Sequence, residues 1–558
     1  MPPSPHPDPR IAALDALFNP LARSDAPGLV VGVAQHGRSL YRRGIGLASV
    51  EHGVSNKPWT RMRIGSTSKQ FTCLAALLLA EEGRLDIDAP VRAYLPELPV
   101  LLAQGPEPSL RQLMNHSSGY RCYLDLGFIA EGMAIKPAGV AWGLQRRQRE
   151  ANFVPGSQVI YCNSGYQLLS RVIEQVSGQA FEQFLQQRIF APLGMQDTAS
   201  VPSDFELHPG TATLHLPRPV AKGFGWRRGI FPTEELRGEG AMVSTIDDML
   251  RWLAHLRAPH KRVGSSVSWQ QMLAPTRLAN GHDTPYGLGL MRHDYRGIEV
   301  IHHPGAVIGG ASQMLTVPSQ ALDIILIANG APCSPRELAL RIVDAMLGDA
   351  VLGPAAAPAS AERFGSVLGR RYRGRDTGLV FGFAKAGEAL GLSLLEGPAM
   401  PLRDEGAQLC KPFEEGGIGQ YRLPTAPLAG AVAPSHLDLV VDGRSERCEL
   451  LPETPPAEAG APLLGRYRSV ELDAEARIAF DGERLLLQTR GAYGGNRFEL
   501  RALSAEVFGC QALDMPLAHG GNAVLRLVPA VGPLGGPVSG FRLDTPRTRQ
   551  LAFERCGD

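Results

Sequence analysis

Apolar, β-branched runs lie at both ends of the first 350 residues, at 28–33 and again at 313–317 and 323–328, with helical periodicity in the stretch between. Side chains alternate with period two in a strand and 3.6 in a helix, so these patterns separate the two states along the chain. The run at 28–33 turns at His36-Gly37-Arg38 into a second at 40–47, which reads as a hairpin. Helical spacing marks 10–22, 66–82, 167–174, 181–188, 246–255 and 336–347, and a further β run lies at 298–301. Gly83 supplies a stop for the helix at 66–82. Strands at both extremities with helices between them predict one sheet assembled from the two ends of the region and covered by helices, an α+β arrangement.

At 558 residues the chain is too long for that one core. Composition shifts at Gly353-Pro-Ala-Ala-Ala-Pro-Ala-Ser360 and again at Pro452-Glu-Thr-Pro-Pro-Ala-Glu-Ala-Gly-Ala-Pro462, and both stretches read as linkers. After each comes a similar phrase, Leu368-Gly-Arg-Arg-Tyr-Arg and Leu464-Gly-Arg-Tyr-Arg, followed by short β runs broken by Gly and Asp-Gly turns. The expected division is a first domain at 1–352, a linker at 353–361, a small antiparallel β-barrel at 362–451, a linker at 452–463 and a second barrel at 464–558.

Composition narrows the function classes. Apolar residues at 44% and charged residues at 20% exclude a disordered chain. A net charge of +1 offers no basic surplus for nucleic acid. No stretch approaches the roughly 18 apolar residues of a membrane span, and the start, MPPSPHPDPR, lacks a basic segment followed by an apolar run. A cytoplasmic protein without membrane contact is expected. The eight cysteines are scattered, with no C-x-x-C pair, which argues against structural zinc and a disulfide framework and for buried reduced thiols. No metal and no cofactor are expected.

Three elements carry chemistry. Lysine is scarce, with seven in the chain, and only Lys69 has a serine three residues before it, in Ile64-Gly-Ser-Thr-Ser-Lys69. Positions i and i+3 share a helix face, so Ser66 and Lys69 become neighbours at a helix start. Lysine can be driven neutral by burial and then act as a base, which arginine cannot. Read alone, the pair also describes a surface lysine on a helix. The second element is Tyr161-Cys162-Asn163, the one Y-x-N in the sequence: a tyrosine beside a neutral lysine can relay a proton, and an asparagine can hold a substrate carbonyl. A core tyrosine is the bland alternative. The third is His303-Pro304-Gly305, directly after a β run, where a glycine allows a substrate backbone to approach a strand. A strand-end histidine with a satisfied ring fits that segment equally well.

In this order, with Tyr161 95 residues after Ser66 and His303 about 140 further on, the elements resemble the penicillin-recognising serine hydrolases, a family of class C β-lactamases, D,D-peptidases and related esterases. Leu113-Met-Asn-His-Ser-Ser-Gly119 is similar to that family's L-x-x-H-x-S-G turn, and Gly238–Leu250 contains its S-T-x-x-D-M helix entry. Histidine at 303, where many relatives carry lysine, together with Gly465-Arg-Tyr-Arg-Ser-Val-Glu-Leu-Asp-Ala474, narrows the resemblance to the D-stereospecific exopeptidase branch and extends it over the whole chain. The resemblance implies a β-lactamase-like domain followed by two barrels, no metal, a dimer, and an acyl-enzyme mechanism acting on small peptides or amides with a free N-terminal D-residue. It implies Ser66 as nucleophile, Lys69 as base, Tyr161 as proton relay, Asn163 and His303 at the substrate, and the N–H of Ala306, after Gly305, in an oxyanion hole. In that branch a loop of the last barrel presents an aspartate to the substrate's amine; the corresponding stretch is 509–521, whose acid is Asp514. An ordinary hairpin loop has the same composition. An esterase or D-amino-acid amidase on the same residues, or a catalytically silent penicillin-binding protein, are the alternatives.

Overall fold

The computed structural model describes residues 8–557 apart from 220–223, 331, 416, 453–458, 515–520 and 530–537. Its first unit is built on a six-stranded antiparallel sheet in the order Met291–Tyr295, Ile298–Val307, Gly310–Val317, Leu322–Ala328, Leu29–Gln35 and Arg38–Ile45. The N-terminal hairpin therefore completes a sheet begun by strands almost 300 residues later, with Leu29 opposite Ala328 and Gln35 opposite Leu322. The sequence of the last of those strands, LDIILIA, is apolar almost throughout because both sheet faces are covered. Ile324 and Leu326 pack with Leu14, Phe18, Ile342 and Val343 of the terminal helices Pro9–Phe18 and Pro335–Leu347. Ile325 and Ile327 face the other way, into the large core around the helix Lys69–Glu81. The hairpin turn puts His36 and Gly37 at positive φ, as the tight turn requires.

The expected helix at 66–82 differs in its first turn. Residues Gly65–Ser68 form a 3₁₀ turn, and the α-helix begins at Lys69. The tighter turn lets Ser68 Oγ donate back to the carbonyl of Gly65 at 2.6 Å.

Two β units follow. The first is a nine-stranded antiparallel sheet running from Arg371–Gly374 to Arg444–Leu450. The stretch expected as a linker at 353–361 joins this sheet at its end: the Ala359 N–H donates to Leu402 O and its carbonyl accepts from Leu390 N, with Ala359 and Ala361 buried. The second unit is a closed eight-stranded barrel from Gly465–Ser469 to Leu551–Arg555, whose first and last strands pair at Tyr467 and Arg555. Six cysteines are buried, Cys333 and Cys556 are half-buried, and all eight are free thiols.

The barrel docks on the first unit through a shared core. Tyr123, Leu126, Ile129 and Ala130 of the helix Tyr123–Glu131 pack into one cluster with Leu487, Phe498 and Leu543 of the barrel. Asn496 Nδ2 donates to Phe128 O at 2.9 Å, and Thr489 Oγ1 to Ile129 O at 2.6 Å. Arg121, with no exposed surface, is paired at 2.5 Å with Glu471 of the barrel.

Candidate active site

The site is built where the strand Ile298–Val307 presses on the turn Gly65–Ser68. Gly65 has φ +52°, and a β-carbon there would lie 2.7 Å from the nitrogen of Ala306. A β-carbon on Gly305 would lie 1.9 Å from the carbonyl oxygen of Ile64. Gly305 is thus required by the seating of the nucleophile turn, which corrects the expectation that it makes room for a substrate backbone. Ser312 Oγ donates to Ile64 O at 2.7 Å and Thr67 Oγ1 to His303 O at 3.2 Å, fixing the turn on the sheet. Ser66 and Ala306 come out side by side on the wall of a cavity of about 730 Å³.

Lys69 is fully buried one turn below Ser66. Its Nζ lies 3.1 Å from Ser66 Oγ, 2.8 Å from Asn163 Oδ1 and 2.6 Å from the carbonyl oxygen of Glu239. Two of these partners only accept hydrogen bonds. A neutral amine has two N–H groups and one lone pair, so when the two N–H groups serve Asn163 and Glu239 the lone pair faces the serine hydroxyl. Burial lowers the lysine from its ordinary 10.5 to about 7; the Glu239 carboxylate opposes that shift and the cation of Arg547 adds to it. Glu239 is itself buried, with Oε1 accepting from the Tyr123 hydroxyl at 2.5 Å, and burial raises its carboxyl above the ordinary range.

Tyr161 lies beside this pair, its ring centroid 4.8 Å from Lys69 Nζ. Its hydroxyl is buried with no close hydrogen bond among the described residues, and burial raises it well above an ordinary phenol, with the nearby Ser66 hydroxyl partly offsetting the effect. It therefore stays protonated and can donate, while Lys69 can accept. His116, at φ +64°, stacks on Tyr161 with ring centroids 4.2 Å apart, and its Nδ1 accepts from the Cys162 N–H at 3.1 Å. The L-x-x-H-x-S-G turn is in this way the prop of the tyrosine.

His303 is brought close but does not line the cavity. It is fully buried, 6.4 Å behind the Tyr161 ring. Its Nδ1 lies 2.6 Å from the Pro304 carbonyl and its Nε2 3.0 Å from the Tyr286 hydroxyl. Nδ1 must carry the proton to donate to a carbonyl, leaving Nε2 to accept. Burial lowers this imidazole to about 3, so it is neutral and holds Tyr286. Asn163 does line the cavity, with its oxygen turned to Lys69 and its Nδ2 3.7 Å from Cys122 Sγ.

Asp514 is not brought to the site. Arg497 donates to both its carboxylate oxygens, each at 2.8 Å, on a groove in the outer wall of the barrel, and it is absent from the cavity lining. The next residues of its loop, 515–520, lie outside the described residues. What the barrel does contribute is Arg547, on the turn after Gly540–Asp544, with Cζ 4.9 Å from the Tyr161 ring centroid. The rest of the cavity wall is largely apolar, with Leu124, Phe128, Leu216, Trp226, Phe231 and Ile308.

Sequence reasoning missed Glu239 and Arg547. Glu239 touches Lys69 through a backbone carbonyl, which any residue supplies, and its carboxylate acts on the lysine without a direct contact that spacing could reveal. Arg547 is one of many arginines, and no spacing rule links a turn near 547 to Tyr161. Among the described residues no group of three or more His, Cys, Asp or Glu is placed to hold a metal ion, and no helix is long and apolar enough to cross a membrane.

A beta-lactamase family model matches residues 14–346. A D-aminopeptidase of Gluconobacter oxydans (strain 621H) is 28% identical to this chain, over 98% of the chain and 99% of its own length. Among solved structures, an octameric penicillin-binding protein homologue from Pyrococcus abyssi superposes with a TM-score of 0.55 at 22% identity, over 79% of this chain and all of its own. The D-amino acid amidase from Ochrobactrum anthropi SV3 superposes with a TM-score of 0.51 at 23% identity, over 60% of this chain and 98% of its own. At these identities the two superpositions speak to the fold.

Proposed function

The chain belongs to the beta-lactamase family, and from that premise we propose that it is a serine acyl hydrolase that releases N-terminal D-amino acids from small peptides and amides. The observation that carries the reading is the hydrogen-bond set of Lys69, which leaves its lone pair to Ser66. The full-length similarity to a D-aminopeptidase supplies the substrate class. Ser66 Oγ attacks the carbonyl carbon and its proton passes to Lys69 Nζ. The developing oxyanion is received by the N–H groups of Ser66 and Ala306, which share the cavity wall. Tyr161, held protonated by burial, gives its proton to the departing amine and recovers one from Lys69. Water entering in place of the amine is activated by the same lysine and hydrolyses the ester. Ser66 and Lys69 are both in place, which speaks against a silent penicillin-binding protein. The apolar walls suit a large apolar acyl side chain, such as D-phenylalanyl. With the reading goes the expectation of a cytoplasmic dimer, checked by cell fractionation and light scattering.

The test is steady-state hydrolysis of D-Phe and D-Ala p-nitroanilides beside their L-enantiomers, N-acetylated forms and simple esters. The expected result is turnover confined to free-amine D-substrates, with D-Phe ahead of D-Ala. Cleavage of esters alone would make the protein an esterase on the same residues, and indifference to chirality would remove the D-stereospecific reading.

A further inference from the structure

Arg547 is a cation on the cavity wall that the proton transfers do not use. The fold holds its turn in place with unusual thoroughness. Thr545 Oγ1 donates to Asp125 Oδ2 at 2.5 Å, Asn152 Nδ2 to the Arg547 carbonyl at 3.0 Å, and the Arg549 N–H to Asn152 Oδ1 at 2.8 Å. The buried guanidinium of Arg121 donates to the Arg549 carbonyl at 2.9 Å. The backbone of residues 545–549 is thus pinned to the first unit from three sides, and the side chain of Arg547 is delivered to a fixed place.

That place is beside the residue that serves the departing nitrogen: the guanidinium carbon is 4.9 Å from the ring of Tyr161, on the wall of the cavity that Ser66 also lines. Among the described residues no carboxylate oxygen comes within 4.0 Å of the guanidinium nitrogens; a hydrogen bond to Cys122 and the more distant charge of Asp125, which also accepts from Thr545, act on it. These engage part of the fork's five N–H groups, and the planar fork matches a carboxylate. In a dipeptide the α-carboxylate carbon stands two bonds, about 2.5 Å, beyond the leaving nitrogen. A cation beside the group that protonates this nitrogen reaches that carboxylate and not one several residues further on.

We propose that Arg547 binds the free α-carboxylate of the leaving residue, so that dipeptides are the substrates selected over amides and longer peptides. The proposal rests on the acyl-transfer reading of Ser66, Lys69 and Tyr161. It makes the last barrel a specificity element through Arg547 in place of Asp514.

The experiment compares kcat/KM for D-Phe-Gly and D-Phe-Gly amide, and for the N-acetylated pair, in the wild type, Arg547→Met and Arg547→Lys. The wild type is expected to prefer the acid, and Arg547→Met to lower the acid-to-amide ratio by about 10–150-fold, the worth of a charge-assisted hydrogen bond. Arg547→Lys keeps the charge without the fork and should fall between; with the wild-type ratio it decides the matter even if the methionine variant folds poorly. Equal loss on acid and amide, with the acid limb of the pH profile moving up as Lys69 loses a repelling neighbour, would overturn the subsite and make Arg547 an electrostatic neighbour of the base. A wild type indifferent to the carboxylate, or one that cleaves no acid in either series, would overturn it too. Cleavage of the N-acetyl acids alone, with a ratio that still depends on Arg547, would uphold the subsite and overturn the aminopeptidase reading.

Discussion

The two β units open on the same phrase and use it for the same purpose. Tyr372 in the first and Tyr467 in the second are buried in their opening strands, each donating to a backbone carbonyl, Pro434 at 3.0 Å and Leu463 at 2.6 Å. Their relation to the catalytic unit is different. The eight-stranded barrel merges its core with the helix Tyr123–Glu131 and sends Arg547 to the cavity wall. The nine-stranded unit places Ile418 in a small cluster with Val159, Leu278, Tyr286 and Met291, and also meets the catalytic unit through side contacts: Asn280 Nδ2 on the Asp442 carbonyl at 3.0 Å, His282 on Gln420 at 2.5 Å, and Phe413 stacked 4.4 Å from His293. A shared motif in tandem modules thus reports a shared core, while the residues that decide whether a module takes part in chemistry lie in turns outside the motif.

The comparison can be broken at three points. Glu471→Ala takes from buried Arg121 its close carboxylate, leaving it the Glu150 oxygen at 3.4 Å and the Arg549 carbonyl, and should cost about 3 kcal/mol in urea unfolding. Loss of less than about 1 kcal/mol would mean that the ion pair adds little to the docking of the barrel. Thr545→Val removes the hydroxyl that holds Asp125 and should cost about 1–3 kcal/mol, with a rise in KM as the Arg547 turn loosens. An unchanged KM would separate the clamp from substrate binding. Phe413→Ala, on the nine-stranded side, removes a half-buried ring and should cost about 1–2 kcal/mol while kcat/KM is retained. A fall in kcat/KM as large as that of Thr545→Val would erase the functional difference between the units.

The parts of the molecule legible in the sequence are those fixed by local spacing. The sheet could be drawn from its apolar runs because strands covered on both faces have no polar side to disguise them. Ser66 and Lys69 could be paired because i and i+3 share a helix face and because lysine is scarce in the chain. His303 was found by its strand, yet its ring serves Tyr286, since the direction of a strand-end side chain depends on the neighbours that the fold brings up. Asp514 and Arg547 exchange places for the same reason. A turn's composition does not say which wall it faces, and the bond fixing the Arg547 turn to Asn152 spans 395 residues. The π-helical stretch Gln186–Phe190, whose first three residues read in sequence as the end of a plain helix, carries no local signal either.

The central claim is that Lys69 removes a proton from Ser66 as a neutral amine. The measurement that meets it most directly is the rate of Ser66 acylation by a D-phenylalanine ester, followed by intact-mass spectrometry with peptide mapping, in the wild type and in Lys69→Arg. Arginine keeps the charge and cannot deprotonate near neutral pH, so the account requires a fall of about 10²–10⁴-fold, as large as that of Lys69→Ala. Acylation of Ser66 by the arginine variant within about tenfold of the wild-type rate would contradict it and make Lys69 a fixed cation.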